Sequence, residues 1–338
     1  MNRMVLALGL PLLAITLVAL FLTNTPAPVE ARYAARDCRV VEVTAPGIGP
    51  LAGIEDLAPL PDGATLVLSA DDRRATDARR SGLFLADARD LAAGSRITVT
   101  PIEGVPEPTR PHGVSVDLAG ELLAFVNRPA PGEAEVVWGR LDGARFERLG
   151  RLAGETLCRA NDLAFLGTDL LVTLDRGSCG LSAADLVPGS TTGSVLHIRT
   201  AAGSADLRAE GLEFPNGIIT DGIEVSIAET RGARLSLLGG GAMRLPGGPD
   251  NLTRTADGRI AVALHPDLFR IALYRWGLAG HAPTRLALAN PAQGTADVLF
   301  DDPGGALFSG ASVAAIVNGL TVAGSPIAPG LLVCGGRG

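Results

Sequence analysis

Six places along the chain put a carboxylate, an amide or an imidazole just ahead of a short apolar run: Glu55-Asp56, His112, Asn161-Asp162, Asn216, Asp250-Asn251, and a weaker one near Ser309. Oxygen donors dominate this set. Calcium accepts about six to eight such oxygens in flexible geometry, whereas magnesium prefers a smaller octahedral shell with retained waters. Zinc is disfavoured, because no histidine or cysteine group gathers here. Glu55, Asn161, Asn216, Asp250 and Asn251 therefore read as the ligands of one calcium ion. Asp56 and Asp162 directly follow ligand-type residues. Successive strand residues face opposite ways, so these two are expected on a second, buried calcium with a structural role. A bound calcium polarises a carbonyl and holds the oxyanion formed on attack. His112 shares the rim, and an imidazole's reference pKa near neutrality suits it to take a proton from water. The chemistry implied is hydrolysis of an ester or lactone, with His112, Asp250 and Glu55 as catalytic candidates.

Blander explanations exist for each residue alone. Asn or Asp ahead of an apolar run is often only a turn or cap residue. Recurrence at one phase is what favours a shared site. Asn251-Leu252-Thr253 matches a glycosylation sequon, which a buried ligand could not serve. His265, before Pro266, is expected near the same mouth, while His197 and His281 lack this registration. No G-x-S-x-G nucleophile elbow and no glycine-rich nucleotide loop occurs.

Each polar front opens a unit of the same kind: an acidic or amide strand start, a tight turn, then a buried strand. In the first, 53–72, the turn is Pro61-Asp62-Gly63 and the apolar run follows. The others occupy 111–129, 158–177, 214–238, 249–266 and 306–324. The fronts recur about every fifty residues, with one interval nearer thirty-five. Units of this period cannot bury their apolar faces alone, so they stack or close into a ring. The 43 glycines and 4% aromatic content fit many short strands and frequent turns. The expected fold is all-β, a six-bladed β-propeller over 37–338, with short helices near 181–187 and 268–276. A double β-sandwich is the alternative. In a propeller, equivalent inner-strand residues converge on the central channel.

The ends of the chain carry further signals. Arg3 precedes a charge-free run over 4–22, nearly the length needed to span a bilayer. Residues 1–27 are expected to be a signal peptide or membrane anchor, and 28–36 a stalk. Either reading exports the remainder to a periplasmic or extracellular location, with membrane association through 4–22 under the anchor reading. Four cysteines, Cys38, Cys158, Cys179 and Cys334, allow three pairings in an oxidising compartment. A ring must fasten its first and last strands, and Cys38 with Cys334 sits where such a clasp belongs. Cys158 and Cys179 would close a local loop. Net charge is −7 without a dense basic cluster, which argues against nucleic acid as a partner.

Taken together, these pieces resemble the serum paraoxonase/arylesterase family. The motifs that carry the likeness are GIEDL (53–57), PHGVSV (111–116), LLAFVNRP (122–129), ND (161–162), PNGI (215–218), DN (250–251) and HP (265–266). The resemblance covers nearly all of the chain after the stalk. It implies a six-bladed propeller with two calcium ions in the tunnel, an N-terminal hydrophobic segment, and a disulfide matched by Cys38 and Cys334. It implies Glu55, Asn161, Asn216, Asp250 and Asn251 on the catalytic ion, Asp56 and Asp162 on the structural one, and His112 as base. Asp175 resembles a further active-site acid. This chain departs from the family where Arg128 and Arg176 replace histidines. Arginine stays protonated and cannot shuttle a proton. Arg128, Asp175 and His265 are expected to contact substrate, Arg128 by binding an acidic leaving group, with pairing to a wall carboxylate as its alternative. The implied activity is calcium-dependent hydrolysis of a small-molecule ester or lactone. A gluconolactonase-like or strictosidine-synthase-like enzyme, or a non-catalytic binding propeller, is the alternative.

Overall fold

The structure, a computed structural model, describes residues 26–75, 78–180, 182 and 189–336. The expected anchor over 4–22 and the expected helix near 181–187 lie outside the described residues, Ser182 apart. Among the described residues no helix is long and apolar enough to cross a membrane.

Six sheets form the blades, five of them four-stranded and antiparallel throughout. Their inner strands are Ile54–Pro59, Pro111–Val116, Ala160–Leu166, Pro215–Thr220, Gly248–Arg254 and Val313–Val317. Each inner strand contacts the next, and the sixth contacts the first, so the ring is closed. Buried apolar clusters fill the seam between every adjacent pair of blades. Leu57, Phe84, Val322 and Leu331 pack between blades six and one. Val172, Trp138 and Leu163 do so between two and three. No blade could bury both of its faces alone, which is why the repeats need the ring.

Blade six is built from both chain ends. Cys38–Ala45 pairs with Leu331–Cys334, and Cys38 stands directly opposite Cys334 in the register. The two form a disulfide, as expected from ring closure. Cys158 and Cys179 form the second. The segment 96–101 is divided between two sheets. Arg96–Thr98 runs parallel to the blade-six strand, while Thr100–Pro101 completes blade one. Buried Val99 separates the two pieces. The expected helix near 268–276 forms over Leu268–Arg275, capped by the Asp267 side chain. Residues 28–36, read as a stalk, lie along the outer strand of blade five. Tyr33 bridges Phe300, and the Val29 amide donates to Asp301.

Five of the six inner strands carry a register shift at the same place: between Ile54 and Asp56, Pro111 and Val114, Ala160 and Leu163, Pro215 and Ile218, and Pro249 and Leu252. These are bulges, and a bulge re-aims side chains next to a site. Strict alternation, the basis for separating Asp56 and Asp162 from their neighbours, therefore does not govern these positions. Hydroxyls stitch the bulges to the preceding blade. Ser69 donates to the His112 carbonyl at 2.5 Å, Thr173 to Asn216 at 2.6 Å and Thr230 to Pro249 at 2.6 Å.

Candidate functional site at the channel mouth

The bulges gather Glu55, Asp56, His112, Asn161, Asp162, Asn216, Asp250 and Asn251 at the start of the inner strands, and all are buried. The weak sixth front is corrected. Ser309 donates to the Gly305 carbonyl, whereas Ser312 donates to the Glu55 carbonyl at 2.7 Å. The sixth inner strand starts at Val313, so Ser312 directly precedes it and is the residue that joins the first front.

Two amides are left half-satisfied. Asn216 donates through Nδ2 to Thr230 at 3.3 Å, and Asn251 through Nδ2 to the Glu55 carbonyl at 3.2 Å. The Oδ1 atoms of both are buried and accept no hydrogen bond. A buried acceptor without a partner costs about 1–3 kcal/mol, so these oxygens fit a cation. The carboxylates are engaged otherwise. Asp250 meets His265 Nε2 at 2.7 Å. Glu55 meets His112 Nδ1 at 2.7 Å and Arg73 Nε at 2.8 Å. Burial acts to raise the Glu55 carboxyl, but the Arg73 guanidinium and the His112 contact hold it well below the usual carboxylate range. Among the described residues no three histidine, cysteine, aspartate or glutamate side chains come together as a metal site. An ion here would depend on the amide oxygens.

Asp56 and Asp162 form the deeper layer. Asp56 accepts the amides of Leu57 at 2.9 Å and Val114 at 2.8 Å. Asp162 accepts those of Leu163 at 2.7 Å and Ile218 at 2.9 Å. Each carboxyl thus bridges to the next blade. Burial pushes both groups up, and the charge of Asp162 adds to the effect on Asp56. Such repulsion is what a shared cation relieves. Gly113 makes this approach feasible, since a Cβ there would fall 2.4 Å from Asp162 Oδ1.

A second polar ring follows the second strand of each blade: Asp71, Arg128, Asp175, Thr230, His265 and Ser325. Arg128, Asp175 and His265 were expected from the sequence. Arg128 donates to the Ala160 carbonyl at 2.7 Å, and its Nε has no partner. Burial and the neighbouring Arg73 charge push it down to about 10, so it stays cationic at neutral pH. Burial raises the Asp175 carboxyl, against the pull of Arg176 and Arg128. His112 is pushed down to about 3 by burial and the Arg128 charge. Its imidazole is neutral near pH 7 and a weaker base than a free histidine.

Sequence reasoning missed Arg73. It salt-bridges Glu55, reaches Asp71 at 2.7 Å and approaches His112 Nδ1 at 2.5 Å. Asp71 also holds Arg110 at 3.1 Å and Ser81 at 2.5 Å. The available signal was positional: Asp71 ends the second strand of blade one as Asp175 does in blade three.

No family model matches the chain, and comparison with curated proteins yields no match. Solved structures do match. A protein of unknown function from Bacteroides thetaiotaomicron is similar at 10% identity and a TM-score of 0.57, over 88% of this chain and 75% of that one. A gluconolactonase from Xanthomonas campestris is similar at 16% identity and a TM-score of 0.51, over 92% and 96%. A candidate TolB from Agrobacterium tumefaciens is similar at 15% identity and a TM-score of 0.52, over 83% and 89%. The fold is that of the six-bladed propellers. At these identities the likeness is one of fold, and it does not single out the paraoxonases.

Proposed function

We propose that the protein hydrolyses a small-molecule lactone or carboxylic ester at the channel mouth, with calcium as cofactor. The observation that supports this most directly is the pair of buried, partnerless amide oxygens on Asn216 and Asn251. Glu55, Asn161, Asn216, Asp250 and Asn251 would hold the catalytic ion, and Asp56 with Asp162 the structural one. Bound calcium supplies a Lewis acid for the ester carbonyl and its oxyanion. The protein's own groups do the rest. Arg128 remains charged and has an unused N–H for an anionic leaving group. Neutral His112 can accept a hydrogen bond from a water at the rim, or receive its proton. His265 orients Asp250. The two disulfides fit an oxidising, exported location. A sugar lactone is a specific variant of the substrate, supported by the likeness in fold to the Xanthomonas gluconolactonase.

The test is an assay of the purified full chain on an aryl ester, a medium-chain lactone and gluconolactone, with calcium and with chelator. Hydrolysis of at least one substrate, lost with chelator, is expected. Asn216→Ala should lower kcat/KM by about 100-fold, the order found on losing one oxyanion-stabilising contact. Activity indifferent to chelator overturns the calcium reading, and inertness toward all three substrates overturns the hydrolase reading.

A further inference from the structure

One large cavity does not lie at the mouth described above. It lies at the other end of the channel, where the inner strands finish, and has a volume of about 640 Å³. That falls inside the roughly 300–1,000 Å³ range of small-molecule pockets. Its wall is mainly apolar, with Leu57, Val116, Phe165, Ile218, Leu252 and Ile316 contributed by all six blades. Leu118, on the lip, is 68% exposed.

One cation in the wall is left incomplete. Arg254 ends the inner strand of blade five. Its Nη1 donates to the Gly258 carbonyl at 3.1 Å and lies 3.6 Å from Asp221. Its Nε and Nη2 are buried and have no hydrogen-bond partner. Nε and Nη2 form the edge of a guanidinium that a carboxylate accepts with two parallel bonds. The carboxylates of the same wall are already occupied, Asp162 by the amides of Leu163 and Ile218. Asp117 accepts the amides of Glu121 and Leu122, and Asp257 pairs with Arg259. We infer that this end of the channel binds an aliphatic carboxylate, its chain in the apolar cavity and its head on the Nε/Nη2 edge of Arg254. The inference does not depend on the hydrolase reading, since neither Arg254 nor the apolar wall belongs to the catalytic set, although Asp162 borders both sites.

Titration calorimetry of the full chain with decanoate tests it, with decyltrimethylammonium and decanol as controls. Saturable one-to-one binding of decanoate is expected, at least tenfold tighter than either control. Arg254→Gln should weaken it at least tenfold. Leu118→Asp places a like charge at an exposed turn and should also weaken it. If Arg254→Gln does not fold, unchanged binding to Leu118→Asp overturns the proposal. Absence of saturable binding, equal binding of decanol, or indifference to both variants overturns it as well. Arg128→Gln should leave the titration unchanged. Loss of binding there would move the ligand to the mouth and sink the assignment.

Discussion

At the residue scale, Arg73 is the feature that most changes the picture of the mouth. It neutralises Glu55, the carboxylate most central to the expected calcium set. A divalent ion and a guanidinium would compete for that carboxylate. Arg73→Gln should therefore tighten calcium binding by roughly tenfold or more, about 1.4 kcal/mol. Calorimetry and the calcium-induced shift in Tm would both register it. Unchanged affinity would mean that no ion takes Glu55. The oxygen donors themselves were legible in the sequence, because each heads an apolar run at one phase of the repeat. Arg73 was not legible. It sits in a polar stretch whose path no periodicity dictates, and only the fold brings it back onto the first strand.

At the element scale, the repeated bulge sets the site. It turns two consecutive residues into the crowded seam between inner strands, and the second is glycine in blades two and four. At Gly217 a Cβ would fall 2.6 Å from the Asp250 carbonyl. Gly113→Ala should cost about 2–3 kcal/mol in denaturant unfolding, because backbone and Asp162 would both have to move. Gly154→Ala, with open space around it and an extended φ of 167°, should stay within about 0.5 kcal/mol. In the sequence Gly113 and Gly217 simply follow the polar fronts His112 and Asn216. Only the sheet register reveals them as bulge positions.

The second strand of blade four carries a pH-dependent element of its own. Buried Glu229 accepts from Arg234 Nη2 at 2.6 Å, from the Glu213 amide at 2.7 Å and from Ser236. Burial raises its carboxyl, but these hydrogen bonds outweigh that and hold it below its ordinary value. A depressed folded pKa contributes stability above the unfolded pKa, and that stability is lost as pH falls through the folded pKa. Glu229→Gln should thus cost roughly 2–3 kcal/mol at pH 7. It should also show a shallower decline than the parent in urea melts taken below pH 4.5, the ordinary glutamate value.

At the scale of the whole molecule, the ring was legible because six repeats of similar length each present faces that need a neighbour. The clasp was legible because the cysteines bracket the repeats. Cleanly dividing 96–101 between two blades was not, since one apolar residue inside a short polar run gives no sign of which sheet owns it. The bond between Cys38 and Cys334 spans 296 residues. On the chain-entropy account, closing a loop that long is worth about 5–6 kcal/mol, against about 3 for the local loop of Cys158 and Cys179. Cys334→Ser should lower the unfolding free energy by several kcal/mol, and Cys179→Ser by less, when the two are compared in the same denaturant series.

Because the sixth blade takes 38–45 and 331–334 from opposite ends of the ring, 38–45 lacks its blade partner until the last blade is made. Until then only 49–50 and 96–98 pair with it, and the stretch 38–41 that will face 331–334 is open to pairing with a neighbouring chain. The protein is thus most prone to misassembly during its own production. Clipping the final strand should return the finished molecule to that vulnerable condition, although it removes nothing from the channel mouth.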